Sequence, residues 1–187
     1  MDMWEDSLGG DIREVLFTRE KIQEKVDEIG EEIRRDYQGR RVLLVGILNG
    51  CFPFMADLAR AIRGPMEVDF MSVSSYGGGT QSSGVVRLLK DLNSSIEGRD
   101  VLLVEDIIDS GLTARYLMDN LRTRHPASLE VCSLLDKTDA RAEEVSIRYV
   151  GFKCPLEFVV GYGLDYDGLY RNLPYIGVLK EGVYSRK

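Results

Sequence analysis

Three short runs dominated by Val, Leu and Ile, at positions 41–48, 100–105 and 129–135, constrain the fold most strongly. None shows the polar alternation of a strand with one face in water, so each predicts a strand buried on both faces. Segments with helical spacing lie between them, at 52–62 and 112–122. Because strands that alternate with helices form β–α–β crossovers, we expect an α/β fold with a central, mostly parallel sheet flanked by helices.

Weaker signals complete the set of predicted elements. Residues 1–17 form a polar leader, and Thr18 can cap a helix whose apolar side chains recur at helical spacing up to Ile33. Further strands are predicted at 66–74, 85–90, 147–152, 158–160 and 175–179. Since a chain of 187 residues is close to the usual size of one domain, we expect residues 1–187 to form a single domain.

The balance of charge limits the partners of this chain. It has 24 Lys and Arg against 31 Asp and Glu, and the resulting net charge of -7 repels nucleic acids and anionic lipids. Its three cysteines include no C-x-x-C pair, and no stretch of ~18 apolar residues could cross a bilayer. We therefore expect a soluble cytoplasmic protein with small-molecule substrates and neither a nucleic-acid nor a membrane partner.

The most informative segment is 101–113, V-L-L-V-E-D-I-I-D-S-G-L-T. A buried strand leads to Glu105 and Asp106 at its carboxyl edge, and the residues from Asp109 onward begin a helix, whose N-terminal N–H groups can bind an anion. Taken singly, such residues are usually a solvated strand end and a helix cap. Three acids within five positions repel one another unless a cation or sugar hydroxyl groups compensate, and this crowding favours a ligand site.

This segment resembles the phosphoribosyl pyrophosphate signature of the type I phosphoribosyltransferases, in the form typical of the hypoxanthine-guanine branch. The resemblance extends to 48–58, 74–76, 134–138 and 158–171. It implies the type I phosphoribosyltransferase fold, with a small hood formed by the chain ends. We expect the base-binding hood at about 155–187 and a flexible active-site loop at 74–84, in which Ser75 and Tyr76 match the family pattern.

The resemblance also implies separate tasks for the residues of the signature. Glu105 and Asp106 would hold the ribose hydroxyl groups and Mg²⁺, and Asp109 would face purine N7 as the general base. The residues that would wrap the 5-phosphate are Ser110, Gly111, Leu112 and Thr113.

The same resemblance implies that residues nearer the C-terminus recognise the base. Lys137 would donate to the 6-oxo group of the purine, Phe158 would stack on the base, and Val159 would contact its edge through the backbone. Asp165 would lie near the base and share in binding Mg²⁺, while the planar fork of Arg171 would bind pyrophosphate. Without the motif, such a lysine is usually on the surface and such a phenylalanine usually in the core.

A second phosphate-binding segment is implied at Leu48, Asn49 and Gly50. In the family this loop contains an unusual cis peptide that directs backbone donors at pyrophosphate, and its middle residue is often lysine. Asn49 departs from that pattern, because it keeps the backbone role possible but removes a positive charge.

Together these matches imply a purine salvage enzyme that joins hypoxanthine or guanine to ribose 5-phosphate, with Mg²⁺ as cofactor. We expect a homodimer or a homotetramer. Two alternatives stay open: an enzyme of the same fold that acts on another base, and a regulator of the same fold that senses phosphoribosyl pyrophosphate and binds RNA or DNA. The net charge and the lack of a basic stripe weigh against the regulator.

Overall fold

The computed structural model describes residues 8–75 and 86–185, without the side chain of Ser75. In these ranges the chain forms, in order, β1 (Ile12–Phe17), α1 (Arg19–Asp36), β2 (Val42–Leu48), α2 (Phe52–Ile62), β3 (Met66–Ser75), β4 (Val86–Lys90), β5 (Asp100–Ile108), α3 (Leu112–Arg122), β6 (Ser128–Asp136), β7 (Tyr149–Lys153), β8 (Val159–Val160), β9 (Ile176–Leu179) and α4 (Glu181–Tyr184). None of the described helices is long and apolar enough to span a membrane.

The main sheet has the strand order β4-β3-β2-β5-β6-β7, and only β4 runs antiparallel to its neighbour. Alternate residues of its central strands are buried on opposite faces. Leu44 and Leu102 belong to the core shared with α1 and α2, whereas Val45 and Leu103 belong to the core shared with α3. Because both faces are covered, the central strands read as nearly continuous apolar runs. The predicted α/β fold with a mostly parallel sheet is confirmed.

The two ends of the chain meet in a second, three-stranded sheet with the order β1-β9-β8. Its strands are antiparallel, with Ile12 opposite Leu179 and Phe17 opposite Ile176. This sheet is the hood that the resemblance implied. The prediction of a polar leader is wrong for residues 12–17, which form β1. As an edge strand β1 is partly exposed, so its sequence lacks a clear apolar pattern.

One strand differs from its prediction in a way that matters for the site. We predicted that the second apolar run would end at Glu105, but β5 continues to Ile108. Its parallel ladder with β6 extends through Glu105 and Ile107, which lie opposite Ser133 and Leu135. The backbone hydrogen bonds of that ladder outweigh the low strand propensity of two acids. Glu105 and Asp106 therefore lie within a strand, not at its end.

The described residues include only part of the predicted active-site loop at 74–84. Residues 76–85, including Tyr76, lie outside the described residues, and Ser75 is described only as the last residue of β3. The flexibility predicted for this loop stays a prediction.

Candidate active site

The topology of the main sheet brings three predicted segments to one edge. β2 connects through α2 to β3 on one side, whereas β5 connects through α3 to β6 on the other. The strand order thus reverses between β2 and β5, and ligands of open α/β sheets bind at such a point, outside the carboxyl ends of the strands. The segments at the carboxyl ends of β2, β5 and β6 are 48–50, 109–113 and 136–137.

A pocket of about 150 Å³ lies at the end of β5 and the start of α3. Its lining residues are Glu105, Ile107, Ile108, Asp109, Ser110, Gly111, Thr113 and Ala114. Gly111 is the N-cap residue of α3 and has a positive φ of 83°, which is readily available only to glycine. This conformation places the loop at the positive end of the helix, a favourable environment for an anion.

Glu105 and Asp106 are electrostatically unusual. Glu105 is only 6% exposed, and its burial, together with the charge of Asp106, raises its pKa well above the ordinary value. Burial likewise raises the pKa of Asp106 to about 6, although its own N–H, that of Ile107 and the charge of Arg171 act in the opposite direction. No ion pair reaches either carboxyl group from the described residues. Such a pair is poised to accept a cation or hydroxyl donors.

The segment after β2 approaches these acids closely. The Leu48–Asn49 peptide bond is cis, as the family pattern implies, and the Asn49 side chain is exposed. A Cβ atom at Gly50 would collide with Oδ2 of Asp106, so any larger residue at this position would displace the carboxyl group. The predicted pyrophosphate loop and the predicted metal-binding strand are therefore in direct contact.

The hood reaches the same place through a glycine that the sequence analysis did not single out. Gly163 has a φ of +100°, and a Cβ atom there would collide with the backbone oxygen of Gly50. The hydroxyl of Tyr162 donates to Asp57 on α2 at 2.5 Å and thereby fixes this turn. The only signal in the sequence was the G-Y-G triplet at 161–163, which by itself predicts no particular contact.

Asp109 and Lys137 lie side by side, although they are 28 positions apart in the sequence. Lys137 Nζ is 3.4 Å from Asp109 Oδ2, with the lysine side chain 12% exposed and the aspartate 57% exposed. The backbone N–H of Lys137 also donates to the carbonyl of Ile108 at 3.0 Å. The structure thus brings together the predicted general base and the predicted donor to the 6-oxo group.

Asp165 and Arg171 form an ion pair of 2.7 Å in the turns of the hood. Arg171 also donates to the Gly163 carbonyl at 2.6 Å, and Gly168 N donates to Asp165 at 2.8 Å. Both charges influence the pKa of Asp106. Among the described residues, however, no group of three acidic, His or Cys side chains could hold a metal ion by itself. The predicted ligands Glu105, Asp106 and Asp165 are therefore not brought into one three-carboxylate cluster.

The predicted stacking residue is held by two rings that sequence reasoning missed. The ring of Tyr184, from α4, lies nearly parallel to Phe158 with centroids 5.1 Å apart, and Tyr166 meets the same ring edge-on at 5.5 Å. The neighbouring Val159 is buried. Because α4 follows the last strand by a short turn, nothing in its spacing predicted this contact.

Comparison with known proteins identifies the class that this fold and site define. The family model described as "Phosphoribosyl transferase domain" matches residues 14–167, and the chain belongs to that family.

The names of similar proteins are more specific than the family model. The hypoxanthine-guanine phosphoribosyltransferase of Mycobacterium avium is 56% identical over an alignment of 183 residues, and the match covers 95% of this chain and 90% of the relative. A solved hypoxanthine phosphoribosyltransferase from Staphylococcus aureus is 50% identical, with a TM-score of 0.93 over 98% of this chain and 99% of that one. The chain also matches the bifunctional protein TilS/HprT of Listeria monocytogenes at 53% identity, and it spans 28% of the length of that protein.

Proposed function

We propose that this chain is a purine salvage enzyme that transfers the 5-phosphoribosyl group of phosphoribosyl pyrophosphate to hypoxanthine or guanine, forming IMP or GMP and pyrophosphate. The observation that carries the proposal is the placement of three complementary groups at one sheet edge. The loop 109–113 suits a phosphate, Glu105 and Asp106 suit ribose hydroxyl groups and a cation, and Lys137 suits a 6-oxo group. These groups match the parts of the two substrates.

The residues present fit Mg²⁺. Mg²⁺ in phosphate sites takes one or two carboxylates together with substrate oxygens, and it keeps several waters. Glu105 and Asp106, with raised pKa values and no ion-pair partner in the described ranges, are the acids that would hold it, and Asp165 lies close enough to influence Asp106. When bound, Mg²⁺ neutralises negative charge that develops on the departing pyrophosphate.

The bond changes of the reaction assign a task to each of the remaining groups. Purine N9 forms a bond to the anomeric carbon while the bond from that carbon to pyrophosphate breaks, and the proton on N7 must leave. Asp109 takes that proton, and its negative charge also stabilises positive charge on the ribose. Arg171 and the backbone of Asn49 and Gly50 hold pyrophosphate, while Phe158 and Val159 hold the base.

Lys137 sets the preference among purines. Its ammonium group can donate to a 6-oxo group but cannot accept from the 6-amino group of adenine. With the lysine side chain mostly buried, adenine would leave two donors facing each other. Sites built on such a polar match reject the mismatched analogue by roughly 10⁴-fold.

A panel of bases tests the proposal. The chain is incubated with phosphoribosyl pyrophosphate, Mg²⁺ and either hypoxanthine, guanine, xanthine, adenine or uracil, and pyrophosphate release is measured. We expect rapid turnover of hypoxanthine and guanine, and none after chelation of the metal. Lys137→Ala should weaken purine capture, whereas the matched control Lys153→Ala, which alters an exposed lysine at the end of β7, should not. Equal turnover of adenine and hypoxanthine by the unaltered chain would contradict this assignment.

The regulator alternative has no comparable support, since the relatives from Mycobacterium avium and Staphylococcus aureus are named phosphoribosyltransferases. Tight, salt-sensitive RNA binding without nucleotide formation would favour it. The proposal also places the enzyme in the cytoplasm as a homodimer or homotetramer, and light scattering of the purified chain tests the assembly.

A further inference from the structure

Arg141, which no part of the proposed reaction uses, lies behind the phosphate-binding loop. Its side chain is largely buried and pairs with Asp136 at the end of β6, and Nη1 donates to the carbonyl of Val145 at 3.1 Å. Its Nε is buried without a hydrogen-bond partner among the described residues. These contacts close residues 141–145 into a compact loop held against the sheet.

This loop contacts the phosphate-binding loop through the backbone. The N–H groups of Ala142 and Glu143 both donate to the carbonyl of Ser110, at 2.9 and 3.1 Å. On the same side, a Cβ atom at Gly111 would lie 2.7 Å from the carbonyl oxygen of Glu143. The loop 141–145 therefore packs on the outer side of the Ser110–Gly111 peptide.

The orientation of that peptide decides where one donor of the anion site points. Ser110–Gly111 is a trans peptide, because the cis bond found in the described chain is Leu48–Asn49. In a trans peptide the C=O and the following N–H point in opposite directions. With the Ser110 carbonyl held outward by two donors, the Gly111 N–H is turned toward the opposite side, where Gly111 lines the pocket.

We infer that Arg141 is a positioning residue for phosphate-monoester binding: it holds the loop 141–145 against the Ser110 carbonyl and so fixes the Gly111 N–H toward the 5-phosphate. The inference rests on the proposed function of the 109–113 loop. It separates Arg141 from Arg171, which pairs with Asp165 and has the proposed role of binding pyrophosphate.

The test compares two ligands that use different parts of the site. Binding of GMP and of pyrophosphate, each with Mg²⁺, is measured by calorimetry for the wild type, Arg141→Ala and Arg141→Lys. The lysine variant keeps the charge but cannot donate to Asp136 and Val145 as a fork. We expect GMP to bind roughly tenfold more weakly to Arg141→Ala, about the effect of one hydrogen bond, and pyrophosphate to bind within about twofold of wild type. Arg141→Lys should show a smaller loss of the same selectivity.

A second readout and a control separate positioning from general loss of structure. Amide exchange at Ala142 and Glu143 should be faster in the variants, since their bonds to Ser110 are loosened. Arg122→Ala, which removes an exposed arginine from α3, should change the affinity for neither GMP nor pyrophosphate. If Arg141→Ala does not fold, Arg141→Lys decides. Unchanged GMP affinity in the folded variants, or an equal loss for pyrophosphate, overturns the inference, whereas a wild type that fails to bind GMP overturns the proposed function itself.

Discussion

Two places in the main sheet bury aspartate or glutamate, and they do so in opposite ways. Asp69, on β3, is 9% exposed and accepts hydrogen bonds from the N–H groups of Phe70 and Asn93 and from the Asn93 side chain, at 2.7 to 2.8 Å. Lys90 Nζ lies 3.3 Å away. Burial alone would raise its pKa, but these donors lower it below the ordinary value.

Glu105 is buried and Asp106 partly buried on β5, and both have raised pKa values. No donor among the described residues lowers the pKa of Glu105, and the two backbone N–H groups at Asp106 do not offset the effect of its burial. The folded chain therefore stabilises the charge at Asp69 and destabilises the charges at Glu105 and Asp106. A buried carboxylate that stabilises a fold has its charge stabilised by donors of the protein itself. In a ligand-binding site, the ligand stabilises that charge instead.

The largest expected effect is on catalysis. Asp109→Asn should slow single-turnover nucleotide formation by roughly 10²–10⁴-fold, the usual contribution of a general base. Because Asp109 is mostly exposed and an asparagine can still accept from Lys137, the free energy of unfolding should change by less than about 1 kcal/mol. Asp119→Asn, on the surface of α3, is the matched control. An unaltered rate would remove Asp109 from its proposed role.

The next largest effect is on the stability that Asp69 contributes to the fold. Asp69→Asn should lower the free energy of unfolding by about 2–3 kcal/mol, because the new amide places its own donor against Asn93 and Lys90. Urea denaturation measures this loss, and pyrophosphate release per folded molecule should stay near wild type. A variant as stable as the wild type would show that the donors around Asp69 contribute little.

A substitution in the candidate active site should change the free energy of unfolding in the opposite direction. Asp106→Asn should raise the free energy of unfolding of the ligand-free chain by about 1–2 kcal/mol at pH 7.5, since it removes a charge that burial disfavours. The same variant should bind phosphoribosyl pyrophosphate and Mg²⁺ poorly. A destabilised variant in the same urea assay would contradict the idea that the charge of Asp106 destabilises the folded chain.

The smallest effect is a pH dependence. The folded chain raises the pKa of Asp106 from 3.8 to about 6, so between these values the folded state binds more protons than the unfolded state. Stability from this group therefore falls as pH rises through that window, by about 1 kcal/mol or less per pH unit. The stability difference between Asp106→Asn and wild type should grow from about pH 4 to pH 7, where the folded-state carboxyl group is largely ionised, and then level off. A difference that is constant across this range would assign the shift to another group.

Much of the fold was predictable because its signals are local. The helices α2 and α3 begin and end where their spacing predicts, with Pro53 in the first turn of one and Gly111 capping the other. The central strands differ from prediction by a few residues at their ends. β1 was missed because an edge strand that is partly in water carries no apolar pattern strong enough to recognise.

By itself, the sequence determined which chemical groups follow which strands: the acids after an apolar run, the glycine-capped helix of the anion loop, and a lysine after the next strand. Only the tertiary structure decided how those groups meet. It placed Lys137 beside Asp109, pressed Gly163 against Gly50, and left Glu105 buried without a cation from the described residues. Such contacts join residues far apart in the chain, and strand order and close packing set them, whereas propensity and periodicity act only over a few neighbouring residues.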